Sequence, residues 1–173
     1  MSSPSTARLT TSRLELVPLT PGDADEMATV LGDEQLYSFI GGVPPTVEQL
    51  RERYRRLVVG GSADGRQEWR NWIVRLSFSG EAIGTVQATI IDAGRRADVA
   101  WVISLARQGR GFASEAAAAL VRWLEARGVQ AITAHIHPGH GASATVATRA
   151  GLVPTDEIDA DGERIWQRIV GAS

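Results

Sequence analysis

The 173-residue sequence predicts an α+β fold: a mixed, mostly antiparallel central sheet of about seven strands with four helices, in the order βααβββαβαββ. Three observations lead there. Residues 69 to 104 alternate apolar and polar side chains at the two-residue period of strands, with hairpin turns between. Helical periodicity is confined to short, well-punctuated stretches on either side. Only one strand-helix-strand crossover requires parallel pairing, so the rest of the sheet pairs antiparallel. Gly and Pro punctuation leaves no linker and no internal repeat, so residues 1 to 173 are expected to form a single domain.

The elements follow in order. "RLELVPL", residues 13 to 19, alternates as a strand. "TPGDADEMATVL" then starts a helix, with Thr20 as its cap and Pro21 in the first turn that tolerates it. "QLYSFIGGVPP" reads as a loop. Thr46, with Gln49 three residues on, makes a capping box for a second helix whose apolar stripe is Val47, Leu50, Tyr54, Leu57 and Val58. "WRNWIVRLSFSGEAIGTVQATIID" gives two strands joined at Ser79-Gly80, and "ADVAWVIS", 97 to 104, gives a third. "RQGRGFASEAAAALVRWLEARG" passes from a glycine-rich loop into a strong helix with Ala116, Leu120 and Leu124 on one stripe and Gly128 at its end. "VQAITAHIH" is the next strand, "ASATVATRAG" a shorter helix, and "LVPTDEI" and "ERIWQRIV" flank "DADG" as a last hairpin.

Composition closes several classes of chemistry. All 18 basic residues are Arg and there is no Cys, so Schiff-base and P-loop lysines, disulfides and cysteine nucleophiles are excluded. A net charge of −2 argues against a nucleic-acid surface, and the basic run "RERYRR" falls on the wet face of the second helix. No leader-like h-region or apolar stretch of membrane-spanning length is present, so a cytoplasmic protein with no membrane association is the expectation.

All three histidines lie in "TAHIHPGH", at 135, 137 and 140. The spacing resembles the H-x-H-x-D-H run of binuclear metallohydrolases, but Gly139 stands where the bridging Asp belongs and no His follows His140. No metal site is expected. His135 reads as a packed strand residue.

"QGRGFASEA" is the most informative stretch. Gly109 and Gly111 let the backbone turn tightly between a strand and a helix, whose first turn offers unpaired N–H groups to phosphates. A P-loop would need Gly-Lys-Ser/Thr, and a Rossmann loop a third glycine where Ser114 stands. The pattern that fits is the acyl-CoA signature Q/R-x-x-G-x-G/A, met by Gln108, Gly111 and Ala113. With "TSRLELVPLTPGDA" before it and "HPGHGASATVATRAGLVP" after it, the chain resembles the GCN5-related N-acetyltransferase (GNAT) superfamily, and within it the RimJ/RimL-type subgroup, over residues 11 to 170.

That resemblance implies the GNAT fold and an acetyl-CoA-dependent N-acetyltransferase. An acetyl group would pass directly to a primary amine of a protein N-terminus or small molecule, in a ternary complex and without a metal. The resemblance also implies the cofactor residues. The backbone of Gln108, Gly109, Arg110, Gly111, Phe112, Ala113 and Ser114 would hold the pyrophosphate, with Arg107 or Arg110 reaching a phosphate. Trp101, Val102 and Ile103 would pair with the pantetheine arm, and His140 would line the CoA cleft in place of the usual Asn. Asp98 stands where many members carry a catalytic Glu, with Glu15 and Glu68 in reserve. The usual acid Tyr is replaced by Ala147, which leaves Ser143 as the candidate to contact the sulfur. Tyr37, Phe39 and Trp72 are the acceptor-pocket candidates, with Trp69 beside them. An α-amine of pKa about 7.7–8.0 is roughly 10 to 15% neutral at pH 7, against roughly one lysine amine in 2,500. A site with a short Asp base and no Tyr therefore suits an α-amine better than lysine. Homodimers are common among relatives. The rival function, motivated by His140, Ala147 and the shortened acid at 98, is a catalytically silent acyl-CoA-binding module.

Overall fold

In the computed structural model, which describes residues 6 to 171, a single eight-stranded sheet carries helices on both faces. The strands are β1 (Leu9–Thr10), β2 (Leu14–Pro18), β3 (Glu68–Leu76), β4 (Ala82–Ile91), β5 (Arg96–Ile103), β6 (Ala131–Ile136), β7 (Val153–Ile158) and β8 (Arg164–Ile169). The helices are α1 (Ala24–Val30), α2 (Tyr37–Ile40), α3 (Val47–Leu57), α4 (Phe112–Ala126) and α5 (Gly141–Arg149). Across the sheet the order is β1-β2-β3-β4-β5-β6-β8-β7, and every neighbouring pair except β5 and β6 is antiparallel. The mixed sheet and the element order follow the sequence pattern. The extra strand, β1, is too short to show alternation, and the extra helix, α2, is one turn inside the segment read as a loop.

Alternation along β3 explains the two-faced core. Trp72 and Val74 point to a layer that holds Ala116, Leu120 and Leu124 of α4 with Val146 and Ala147 of α5. Ile73, between them, points to the opposite layer, with Met27 of α1 and Leu50 and Tyr54 of α3. Fully burying one such Leu or Ile contributes about 1.5–3 kcal/mol. Local signals terminate the helices as the sequence suggests. Thr46 and Gln49 exchange the two capping-box hydrogen bonds, at 2.9 and 3.2 Å. Gly128, at φ +88°, ends α4, and the Val129 N–H returns to the Leu124 carbonyl at 3.1 Å in a Schellman arrangement. Trp72 is fully buried, edge-on to Trp123 with ring centroids 5.1 Å apart, and its indole N–H donates to the Ala7 carbonyl at 2.6 Å.

The sheet also contains a deliberate break. β5 and β6 pair over three residues only, Arg96 to Asp98 against Ala131 to Thr133. β5 nevertheless stays paired with β4 as far as Ile103. A Cβ added to Gly84 would lie 2.0 Å from the Val102 carbonyl oxygen, so glycine is what lets β4 hold β5 this closely. β6 meanwhile continues against β8 to Ile136. The two strands are thus held by different partners past Asp98, and a cleft opens between them.

Candidate active site

The cleft is lined by Val99, Ala100, Trp101 and Val102 of β5, facing Ala134, His135 and Ile136 of β6. Its volume is about 250 Å³. His137, His140 and Ser143 close one side, Phe39 and Ile40 of α2 another, and Glu163 enters from the start of β8. The residues 99 to 102 have lost β6 as a pairing partner, so this edge of β5 is free to receive an extended ligand.

Past the end of β5 comes the glycine loop. Gly109 and Gly111 have φ of +79° and +81°, left-handed values that favour glycine. Among the described residues, no acceptor takes the backbone N–H groups of residues 109 to 114; the first helical bond is from the Glu115 N–H to the Gly111 carbonyl, at 3.0 Å. Six consecutive unpartnered amides at the start of a four-turn helix form an anion cradle, reinforced by the helix dipole. The Gln108 side chain is not part of that cradle. Its amide donates to the Ile103 carbonyl at 2.9 Å and ties the loop to the end of β5.

The loop is braced from the far end of the sequence by residues that the sequence reading did not single out. Glu115 accepts from the Thr11 hydroxyl at 2.5 Å, the Arg13 backbone N–H at 3.1 Å and Arg13 Nε at 2.9 Å. Arg13 also donates to the Arg110 carbonyl at 3.0 Å and lies 4.4 Å above the Phe112 ring. Burial pushes the Glu115 carboxyl up, but the hydrogen bonds from Thr11 and Arg13 outweigh it and the net shift is downward. The only signal available in the sequence was the resemblance of the "TSRLELVPLTPGDA" opening, which carries no hint of a partner 102 residues away.

The other sequence-derived candidates divide. Trp101, Val102, Phe39, His140 and Ser143 line the cleft. Ile103 is buried in the core beside it. Ser143 sits in the first turn of α5 with its hydroxyl 3.5 Å from His140 Nε2, and His140 stacks on Phe39 at 4.5 Å. Burial, then the neighbouring His137, lowers the His140 pKa. Asp98 lies in the last position of β5 that pairs with β6, where its carboxylate accepts from the Thr133 hydroxyl; the cleft lining begins one residue later, at Val99. Tyr37 donates its hydroxyl to the Leu31 carbonyl at 2.9 Å and lies outside the lining. Trp72 is a core residue: its ring is fully buried, edge-on to Trp123, and its N–H is used internally. Trp69 is on a separate surface depression, bonded to Gln67 at 3.0 Å. Glu15 pairs with Arg8, and Glu68 with Arg70 and Arg127, all away from the cleft. Arg107 is engaged by Glu81.

His135 differs from its sequence reading. It is partly exposed in the cleft wall, not packed away, and its Nδ1 lies 2.7 Å from Asp159 Oδ2 in the β7–β8 turn. The alternation that places Ile132, Ala134 and Ile136 in the α4 layer puts Thr133 and His135 on the other face. His137 is turned inward on its own turn, with Nδ1 accepting from the Gly139 N–H at 2.9 Å.

Comparison with known proteins agrees with this geometry. A family model described as an acetyltransferase (GNAT) domain matches residues 13–153. No curated protein sequence matches the chain. Among solved structures, the chain is similar to a GNAT-family acetyltransferase from Bacillus anthracis, with a TM-score of 0.81 at 16% identity, covering 94% of this chain and 98% of that one. It is similar to RimL, the ribosomal L7/L12 alpha-N-protein acetyltransferase in complex with coenzyme A, with a TM-score of 0.80 at 16% identity over 96% and 100% of the two chains. It is also similar to the aminoglycoside acetyltransferase AAC(6')-Ib in complex with paromomycin and acetyl-CoA, with a TM-score of 0.75 at 18% identity over 91% and 93%. At these identities the structures speak for the fold, while the family model covers most of the chain. With a β5–β6 break, a glycine cradle opening α4 and a matching family model, the chain belongs to the GNAT acetyltransferase family and is an acyltransferase.

Proposed function

We propose that this protein is an acetyl-CoA-dependent N-acetyltransferase that acetylates the primary amine of a protein N-terminus or small molecule by direct attack. The observation that carries the reading is the alignment of two binding elements along one strand. The unpaired edge of β5 runs from Val99 to Ile103, and the six free amides of residues 109 to 114 follow after one short turn, Leu105–Arg107. A phosphopantetheine arm needs both: peptide-like groups to pair as a short added strand, and a diphosphate to be held by N–H donors. RimL and AAC(6')-Ib, to which the chain is similar, were solved with coenzyme A or acetyl-CoA bound.

With coenzyme A so laid, its thioester lies in the cleft between Trp101–Val102 and Ser143, and the acceptor enters on the Phe39–Ile40 side. Ser143 is in place to meet the sulfur as negative charge develops there. The amine nitrogen attacks the acetyl carbon, a tetrahedral adduct forms, and its collapse expels the thiolate. Asp98 is engaged by Thr133 at the closed end of the cleft.

Equilibrium dialysis against acetyl-CoA, joined to a thiol-release assay over a panel of N-terminal peptides and small amines, tests this. Saturable binding plus release of one thiol per acetylated amine supports it. Binding without turnover on any acceptor would leave a silent acyl-CoA-binding module, and absence of binding would remove the CoA reading altogether.

A further inference from the structure

We propose that His135, oriented by Asp159, takes the proton from the acceptor ammonium in the acetyl transfer. The assignment rests on the transferase reading above and identifies a residue for its unfilled task. His135 is part of the cleft wall, across from the free edge of β5 at Ala100 and Trp101. Its Nδ1 is 2.7 Å from Asp159 Oδ2, which fixes Nδ1 as the protonated nitrogen and leaves the Nε2 lone pair for the cleft. The third member of such an arrangement must itself be held, and Asp159 is. Its other oxygen accepts the backbone N–H groups of Asp161 and Glu163, both at 2.9 Å. The backbone N–H of Asp159 in turn donates to the Glu163 carbonyl at 2.8 Å, closing the β7–β8 turn. Nucleophile-activating histidines held by a carboxylate at Nδ1 use this geometry in unrelated folds.

The surroundings suit the task. In the β7–β8 turn, Asp159 meets the ring and clusters with Asp161 and Glu163; His137 follows the end of β6, His140 lies at the start of α5, Arg164 at the start of β8, and Asp98 on β5 is bonded to Thr133. Burial, then the Asp159 charge, raises the Glu163 pKa. Hydrogen bonds, first from His135, lower that of Asp159, so the carboxylate beside the imidazole is the one that keeps its charge. The acidic wall attracts an ammonium, and the imidazole removes one of its protons. The step balances. One ammonium proton passes to Nε2, giving imidazolium and a neutral amine, whose lone pair forms the C–N bond. Collapse of the adduct breaks the C–S bond and the electron pair leaves on sulfur. The second proton of the nitrogen passes to that sulfur as the amide forms, so CoA departs as the thiol, while the imidazolium returns its proton to solvent.

Two measurements on the full chain test the proposal. Long-range ¹⁵N–¹H correlation of the histidine rings is expected to show His135 in the Nδ1–H form, and the Asp159→Asn variant to lose that preference; an Nε2–H ring in the unsubstituted protein overturns the pairing. In kinetics, His135→Gln is expected to lower kcat about 100-fold or more, to remove the acidic limb of the pH–rate profile, and to leave acetyl-CoA affinity unchanged by dialysis. An active protein in which His135→Gln keeps the rate and the limb, while Asp98→Asn or Glu163→Gln loses them, overturns the assignment of the base alone. A chain that binds acetyl-CoA but acetylates no amine overturns the transferase reading and the base with it.

Discussion

The two walls of the cleft are built differently. The β5 wall and its glycine loop present backbone to the cleft, held by eight register pairs to β4 and the Gly84 contact and tied from behind by the Gln108 side chain at Ile103 and the Arg13–Glu115 brace. The opposite wall starts from β6 and is completed by side chains on short pieces: one turn of α2, the 137 to 140 turn, and the β7–β8 hairpin, whose register breaks between Pro154 and Ile158. Phe39, Ile40 and Val43 are exposed there. A cofactor common to a family is best met by main-chain groups that substitution cannot remove, whereas an acceptor is selected by side chains on loops that change freely. The contrast is falsifiable, because substitutions in the first wall should cost folding or CoA binding, and those in the second should cost acceptor recognition.

Gly84→Val should have the largest effect. A Cβ 2.0 Å from a carbonyl oxygen and 2.9 Å from the Ile103 side chain meets backbone on one side, so β5 must move away from β4. Overpacking of this kind costs about 1–3 kcal/mol and more where backbone must shift. Urea denaturation should show the loss, and a folded remnant should bind acetyl-CoA poorly. A midpoint equal to that of the parent would mean that the β4–β5 wall is not rigid.

Gly111→Val should come next, and it acts on the cradle more than on the core. The residue has φ +81°, where a β-branched side chain is strained by about 1–3 kcal/mol, and its Cβ would sit 3.3 Å from the Arg13 guanidinium. Acetyl-CoA binding measured by dialysis should be lost, while the sheet remains folded by circular dichroism. Retained affinity would place the diphosphate elsewhere.

How much of this was legible beforehand follows the same division. The helix stripe of Ala116, Leu120 and Leu124, the Thr46 capping box and the strands from 69 to 104 are local patterns, and local patterns are written in consecutive residues. The cradle was legible because Gly109 and Gly111 announce positive φ. The break between β5 and β6 was not, since it depends on which neighbour each strand keeps past Asp98. The Arg13–Glu115 brace joins positions 102 apart, and the His135–Asp159 pair positions 24 apart. Neither spacing has a periodicity to betray it. Trp72 misled because an aromatic residue on an alternating strand is the same letter whether it lines a pocket or fills the core.

The brace supplies a subtler prediction with a pH signature. Arg13→Ala removes the donors to Glu115 and to the Arg110 carbonyl, so the cradle is less well ordered before CoA arrives. Acetyl-CoA affinity should fall about 10-fold, which is about 1.4 kcal/mol, with little change in kcat at saturation. Because the Glu115 carboxyl is held below its ordinary value, its contribution to stability is present above the usual carboxylate range and fades as pH falls through it. Chemical denaturation of Glu115→Gln and of the parent should therefore differ at pH 7 and converge towards pH 3. A constant difference would mean that the carboxylate's charge plays no part in the brace.

Phe39→Ala sharpens the comparison from the other wall. The ring is 40% exposed, so its removal from the free protein should change stability by less than about 0.5 kcal/mol. It stacks at 9° on His140 and lies 5.4 Å from the His137 ring, and it is one of the apolar residues that lead into the cleft. An aromatic contact of this type is worth about 0.5–1.5 kcal/mol, so KM for the acceptor should rise by roughly 2- to 12-fold while the Kd for acetyl-CoA stays the same. The split between the two ligands is the informative quantity. If acetyl-CoA affinity falls as much as acceptor KM rises, Phe39 serves the cofactor through His140, and the division between a main-chain wall for CoA and a side-chain wall for the amine fails at the point where the two walls meet.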